Sequence, residues 1–158
     1  MTLKVAYEND GQIQTLRLKG LVDEEADFSK LAVSPDSRKV IIDLAGLEAI
    51  NSIGCRSWIK WLKTLNPDIQ LSLVNCTPVF LDYVNMIDGF VPKNGVIESF
   101  EVPYYCETCD HTTLKKFVTG ELKKGFSEIP DQIKCYSCQK DSEIDVIVSS
   151  FFKFLHKH

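Results

Sequence analysis

A chain of 158 residues with 44% hydrophobic and 25% charged content is long enough to bury one ordinary core and a small second module, but too short for two full domains. Its net charge of −4 excludes bulk electrostatic attraction to nucleic acid, and no uninterrupted apolar run approaches the roughly 20 residues of a membrane span. The start, MTLKVAYENDG, lacks a positively charged segment leading into an apolar stretch, so an unexported chain in the reducing cytoplasm is expected.

Leu3 to Tyr7 and Ile13 to Lys19 alternate apolar and polar residues around Asn9-Asp10-Gly11, the pattern of a hairpin with a turn suited to positive φ. Asp23 to Leu31 is acidic at its start and offers Ala26, Phe28 and Leu31 for packing before Ser34-Pro35-Asp36 stops it; a short helix is expected. Val40, Ile41 and Ile42 form a β-branched run ending at Asp43, the pattern of a strand buried on both faces. A helix follows. Asn51 and Ser52 are both good N-cap residues, Gly54 lets the backbone turn closely, and Cys55, Trp58, Ile59, Leu62 and Leu65 recur at helical spacing. Arg56, Lys60 and Lys63 then share the opposite face.

After Asn66-Pro67-Asp68, Ile69 to Val74 reads as another strand. Thr77 caps the next helix with Pro78 at its first position, Phe80, Val84 and Ile87 supply its buried stripe, and Gly89 ends it. Lys93-Asn94-Gly95 is a turn, and Val96 to Val102 the last strand of the sheet.

The stretch DLAGLEAINSIG, a strand ending in Asp-Leu, a short apolar link and then Asn-Ser-x-Gly opening a helix, resembles the signature of STAS domains, the family of sulfate transporters and anti-sigma factor antagonists. LSLVNCTPVFLDYVNMIDGF is similar to the family's next strand and helix, so the resemblance covers about residues 3 to 102. It implies a mixed β-sheet with helices and an anti-sigma factor antagonist-like role in signalling and transcription regulation. The expected protein partner is an anti-sigma factor or a serine kinase. It also implies that the serine matching Ser52 is phosphorylated, switching the interaction off. Asn51 stands where the family pattern carries Asp as well as Asn.

At Pro103 the character of the chain changes. Cys106-Glu107-Thr108-Cys109 is followed, after 25 residues, by Cys135-Tyr136-Ser137-Cys138. Two Cys-x-x-Cys knuckles at that distance are the ligand arrangement of a structural zinc ribbon, each aiming two thiolates at one Zn²⁺. Thr112 to Thr119 and Ile133-Lys134 are the ribbon's expected strands. So small a module, with few large apolar side chains, depends on its metal for stability. Asp145 to His158 carries a helical apolar stripe at Ile147, Phe151, Phe154 and Leu155. The expected organisation is α/β: a STAS-like domain over 1–102, a zinc-ribbon-like module over 103–146, and a C-terminal helix over 147–158 that packs back on the sheet.

Ser52 is the phosphorylation candidate: a serine at a helix N-terminus is exposed, and a phosphate there meets unpaired N–H groups. The plainer reading is that Ser52 only caps the helix. Asn51, Ile53, Arg56 and Lys60 are partner-binding candidates, with Trp61 at the edge of the stripe, available to a partner or to the ribbon; the alternatives are ordinary surface residues and a solvated basic face. Cys106, Cys109, Cys135 and Cys138 are the metal ligands of a closed, structural Zn²⁺ site with no position for a substrate. His111 is a spare ligand that four thiolates make unnecessary. Cys55 and Cys76 are core residues.

No nucleophile, base and oxyanion donors converge in the sequence, so no enzyme is expected. Residues 102–146 hold six lysines and eight acidic residues, which disfavours a nucleic-acid regulator despite Lys115, Lys116, Lys123 and Lys124. A constitutive scaffold without a phosphoswitch is the other alternative, and a homodimer is left open.

Overall fold

A computed structural model describes residues 2–157. Strands β1 (Lys4–Asp10) and β2 (Ile13–Val22) form the expected hairpin, with the turn at Gly11 and Gln12 and Gly11 at φ +60°. Strand β3 (Lys39–Ile50) lies parallel to β2, then β4 (Gln70–Val74) and β5 (Gly95–Ile97) follow in parallel, giving the five-stranded mixed order β1-β2-β3-β4-β5. Helix α1 (Ser52–Leu62) connects β3 to β4, and α2 (Pro78–Met86) connects β4 to β5. The α/β class expected from the sequence is the class found.

The helices cover one face of this sheet. Leu16, Leu18, Val40, Ile42, Leu44, Leu71 and Leu73 are buried under them, while Lys39, Ile41 and Asp43 on the other face of β3 are only half-buried. The strand is therefore not fully buried on both faces. The half-buried face is kept wet by cross-strand charges: Arg17 bonds Glu8 at 2.8 Å and lies 4.0 Å from Asp43, and Lys39 lies 3.6 Å from Glu98. At the centre of the covered face, Trp58 of α1 packs against Trp61, Phe80 and Phe90 with ring centroids 5.5, 5.6 and 5.9 Å away, and its indole N–H donates to the Phe90 carbonyl at 2.9 Å.

Two expected elements differ. Asp23 to Leu31 is not an α-helix but a turn followed by a single 3₁₀ turn at Phe28–Lys30. The carboxylates of Asp23 and Asp27 accept from the Glu25 and Ser29 amides at 3.0 and 3.1 Å, local bonds that compete with helix formation. The apolar run after Gly95 is likewise two strands rather than one. The chain leaves β5 at Ile97 and enters β6 (Ser99–Cys106), which belongs to a second sheet and runs through residue 102 without a break.

That second sheet is antiparallel, in the order β7-β6-β9-β8, with β7 (His111–Val118), β8 (Gln132–Lys134) and β9 (Asp141–Ile144). Its inner side continues the core of the first: Phe100, Val102 and Tyr104 are fully buried in the same apolar cluster as Leu73 and Phe80. The C-terminal segment is two short helices, α3 (Val148–Phe151) and α4 (Phe154–Lys157), rather than one continuous helix. The break lets Phe151, Phe152 and Phe154 all enter the core, which a single helical stripe would not allow. Ile147, expected on the stripe, is 75% exposed. Phe154 meets Phe100 at 4.9 Å between centroids, and the Asn85 side chain of α2 donates to the Phe151 carbonyl at 2.8 Å. The C-terminus thus returns to the junction of the two sheets. His158 lies outside the described residues.

Candidate metal centre and the first turn of the central helix

The four paired cysteines converge. Cys106 ends β6 and Cys109 sits in the following turn, while Cys135 follows β8 and Cys138 sits in the turn before β9. Their sulfurs all lie within 4.8 Å of one another, with Cys106 to Cys138 at 3.5 Å and Cys109 to Cys135 at 3.6 Å. Four thiolates at a metal–sulfur distance of about 2.3 Å in a tetrahedron are about 3.8 Å apart, so the cluster has the dimensions of a tetrahedral metal site. None of the six cysteines forms a disulfide.

The two knuckles share a backbone device. The residue after each second cysteine, Asp110 and Gln139, has positive φ, 53° and 64°. That left-handed step turns the chain back so that both sulfurs of a pair face one point. Amide N–H groups of Cys109, first, hold the Cys106 thiol below its ordinary pKa, and those of Cys138 and Ser137 bring Cys135 down to about 6, with burial opposing in both cases. Burial, then hydrogen bonds with the other cysteines, push Cys109 up to about 12. Amides directed at sulfur favour thiolates, the form that binds metal. The chemistry of such a site is structural: four protein ligands fill a tetrahedron and leave no open position. His111 lies outside the group of four.

Two lysines of this module are engaged in protein contacts. Lys134 pairs with Asp141 at 2.6 Å, and the Lys115 ammonium lies 5.7 Å from the Phe117 ring centre.

The second candidate lies at the start of α1. Asn51, not Ser52, is the N-cap: its Oδ1 accepts from the Gly54 amide at 2.8 Å. Ser52 is the first helical residue and is exposed, and among the described residues its hydroxyl bonds no protein group. The plainer reading of Ser52 as the cap is therefore corrected. Ile53 is 51% exposed beside it. Gly54 is required by a close approach: a Cβ there would lie 1.9 Å from the Val22 carbonyl oxygen, so the helix end rests directly on the end of β2. The Asn51 Nδ2 donates to Glu24 at 2.6 Å. Local backbone bonding, then this contact, holds the Glu24 carboxyl below its ordinary value. Glu24 was not foreseen, because the contact joins residues 27 positions apart.

Arg56, Lys60 and Lys63 are exposed as expected. Trp61 is largely buried: it packs against Phe28 and Trp58, and its indole N–H donates to the Leu31 carbonyl at 3.1 Å. Cys55 and Cys76 are buried, and burial raises the pKa of both thiols. No helix among the described residues is long and apolar enough to cross a membrane.

No family model matches the sequence, and no curated protein matches it. Among solved structures, the chain is similar to the crystal structure of an anti-sigma factor antagonist from Mycobacterium paratuberculosis, with a TM-score of 0.46, 15% identity, and coverage of 53% of this chain and 76% of that chain.

Proposed function

We propose that the protein is a non-enzymatic regulatory module of the cytoplasm that recognises a protein partner through the first turn of α1. In this reading residues 1–102 are the STAS-like recognition domain, 103–146 a zinc ribbon held by Cys106, Cys109, Cys135 and Cys138, and 147–158 the segment that ties the two together. The partner is an anti-sigma factor or a serine kinase, and phosphorylation of Ser52 releases it. The observation that carries this reading is the division of labour at the helix start. Asn51 does the capping, so Ser52 and Ile53 stand exposed with no structural task, a hydroxyl beside an apolar side chain as an interface uses them. The Arg56 and Lys60 side chains extend that surface along the helix and suit an acidic partner.

A phosphate on Ser52 would have two effects. It would meet amides at the helix N-terminus, which favours it, and it would stand beside the Glu24 carboxylate held by Asn51, which opposes it. The added charge would loosen the Asp23 to Glu25 turn and change the docking surface. The same Glu24 contact favours a second reading: a carboxylate already placed at the helix start supplies negative charge permanently, as in a constitutive scaffold without a switch.

Partner capture from cell extract with immobilised wild type, Ser52→Ala and Ser52→Asp separates the two, with metal content and melting temperature measured on each preparation. The switch predicts that Ser52→Asp loses a defined protein that wild type and Ser52→Ala retain. Equal retention by all three removes the switch and leaves the scaffold.

A further inference from the structure

A groove of about 790 Å³ runs between α1 and the segment from Ala26 to Pro35, away from the Ser52 end of the helix. Its volume is in the range of small-molecule sites. Phe28, Val33, Trp61, Leu65 and Ile69 make its apolar wall. Three of the polar side chains in that wall donate to backbone carbonyls, and Ser29 donates to the Asp27 carboxylate at 2.5 Å. Ser57 donates to the Ile53 carbonyl at 3.2 Å, Thr64 to the Trp61 carbonyl at 2.6 Å, and the Trp61 indole to Leu31 at 3.1 Å. Hydrocarbon and aromatic surface from these residues thus alternates with polar surface along the wall.

Charge in the groove is of one sign. Among the residues that line it, Lys60 alone is charged, and no Asp or Glu is present. Lys60 is exposed and makes no ion pair among the described residues. Asn66 also lines the groove; its Oδ1 accepts from the Asp68 amide at 3.0 Å, which leaves its NH₂ as a donor.

We propose that this groove binds an amphiphilic monocarboxylate of the fatty-acid class, its tail along Trp61 and Phe28 and its carboxylate at Lys60. A cationic ligand would find no counter-charge. A phosphorylated one would ask two charges of a single ammonium. An uncharged apolar ligand would gain nothing from Lys60. A monocarboxylate uses both the wall and the cation.

The test is titration of the full-length, metal-loaded chain with sodium decanoate and, separately, decan-1-ol, read by tryptophan fluorescence, because Trp61 lines the site, and by calorimetry. Lys60→Met keeps the stem and removes the charge; Ser57→Phe fills the groove from α1, and Ala32→Phe fills it from the opposite wall if Ser57→Phe lowers the melting temperature. The expected result is saturable one-to-one binding of decanoate below its micelle threshold. Lys60→Met should weaken it about tenfold, the loss of one charge-assisted contact, with decan-1-ol unaffected. Either filled groove should lose both ligands. Absence of saturable decanoate binding, decanoate affinity indifferent to Lys60→Met, or binding that survives a filled groove would each overturn the proposal.

Discussion

Gly54→Ala isolates the contact on which the placement of α1 depends. In an exposed helix interior this change stabilises by about 1 kcal/mol. Here the new Cβ would lie 1.9 Å from the Val22 oxygen, 2.3 Å from its carbonyl carbon and 2.8 Å from the Asp23 nitrogen. All are backbone atoms of the β2 end, so no side chain can swing aside. Ordinary contact begins near 3.4 Å, and the helix start must retreat by about 1.5 Å. That retreat stretches the 3.1 Å bond from the Asn51 amide to Val22 and loosens Cys55 and Trp58 on the sheet. Lost packing of this kind costs more than about 3 kcal/mol, or a fall in melting temperature of roughly 6–12 °C for a domain of this size. The assay is thermal and urea unfolding of the metal-loaded protein, followed by circular dichroism. Gly120→Ala is the control, because a Cβ there meets nothing within 4 Å. A Gly54→Ala variant as stable as wild type would mean that α1 does not rest on the end of β2.

Three further outcomes follow from the same contacts. Asn51→Ala removes the cap and should cost about 1 kcal/mol in urea unfolding. Cys135→Ser should abolish metal retention, measured by elemental analysis. It should also lower the melting temperature of the whole chain rather than of the ribbon alone, because Val102 and Tyr104 of the second sheet share one core with the first. Glu101→Gln tests pH dependence. Burial raises the Glu101 carboxyl above 4.5, with Lys116 partly offsetting it. The native state therefore holds this proton more tightly than the unfolded chain, and stability falls as pH rises from about 4.5 through the raised native value. The variant should be more stable than wild type at pH 7 and equal to it below about pH 4, as followed by thermal unfolding across pH.

The parts of the fold that were legible are those where one local signal decides the outcome. The β-branched run of β3, the caps and apolar spacing of α1, and Thr77-Pro78 opening α2 each need only their own neighbours to be read. The convergence of the four cysteines was legible because each pair is local and only the meeting of the pairs is tertiary. What escaped was set by distant partners or by competition. Asp23 and Asp27 look like the acidic start of a helix, but their carboxylates bind the backbone one turn too soon. The run from Val96 to Val102 alternates apolar residues with Glu98, Ser99 and Glu101 as a single strand would, so its pattern does not mark the change of sheet at Glu98. Trp61 sits at the edge of the helical stripe in projection, and only the fold brings Phe28 and Leu31 over it. The groove could not be read at all, since its walls come from two segments separated by β3.

Ile53 offers the most direct test of partner recognition through the start of α1, because it is 51% exposed and the fold does not need it. The measurement is partner capture by Ile53→Asp beside wild type and Val96→Asp, a matched change at a 54% exposed position on the sheet edge, with metal content and melting temperature held as controls. Ile53→Asp is expected to lose the partner while Val96→Asp retains it. Retention of the same partner by a folded Ile53→Asp protein would contradict it, and would move the docking surface away from the central helix.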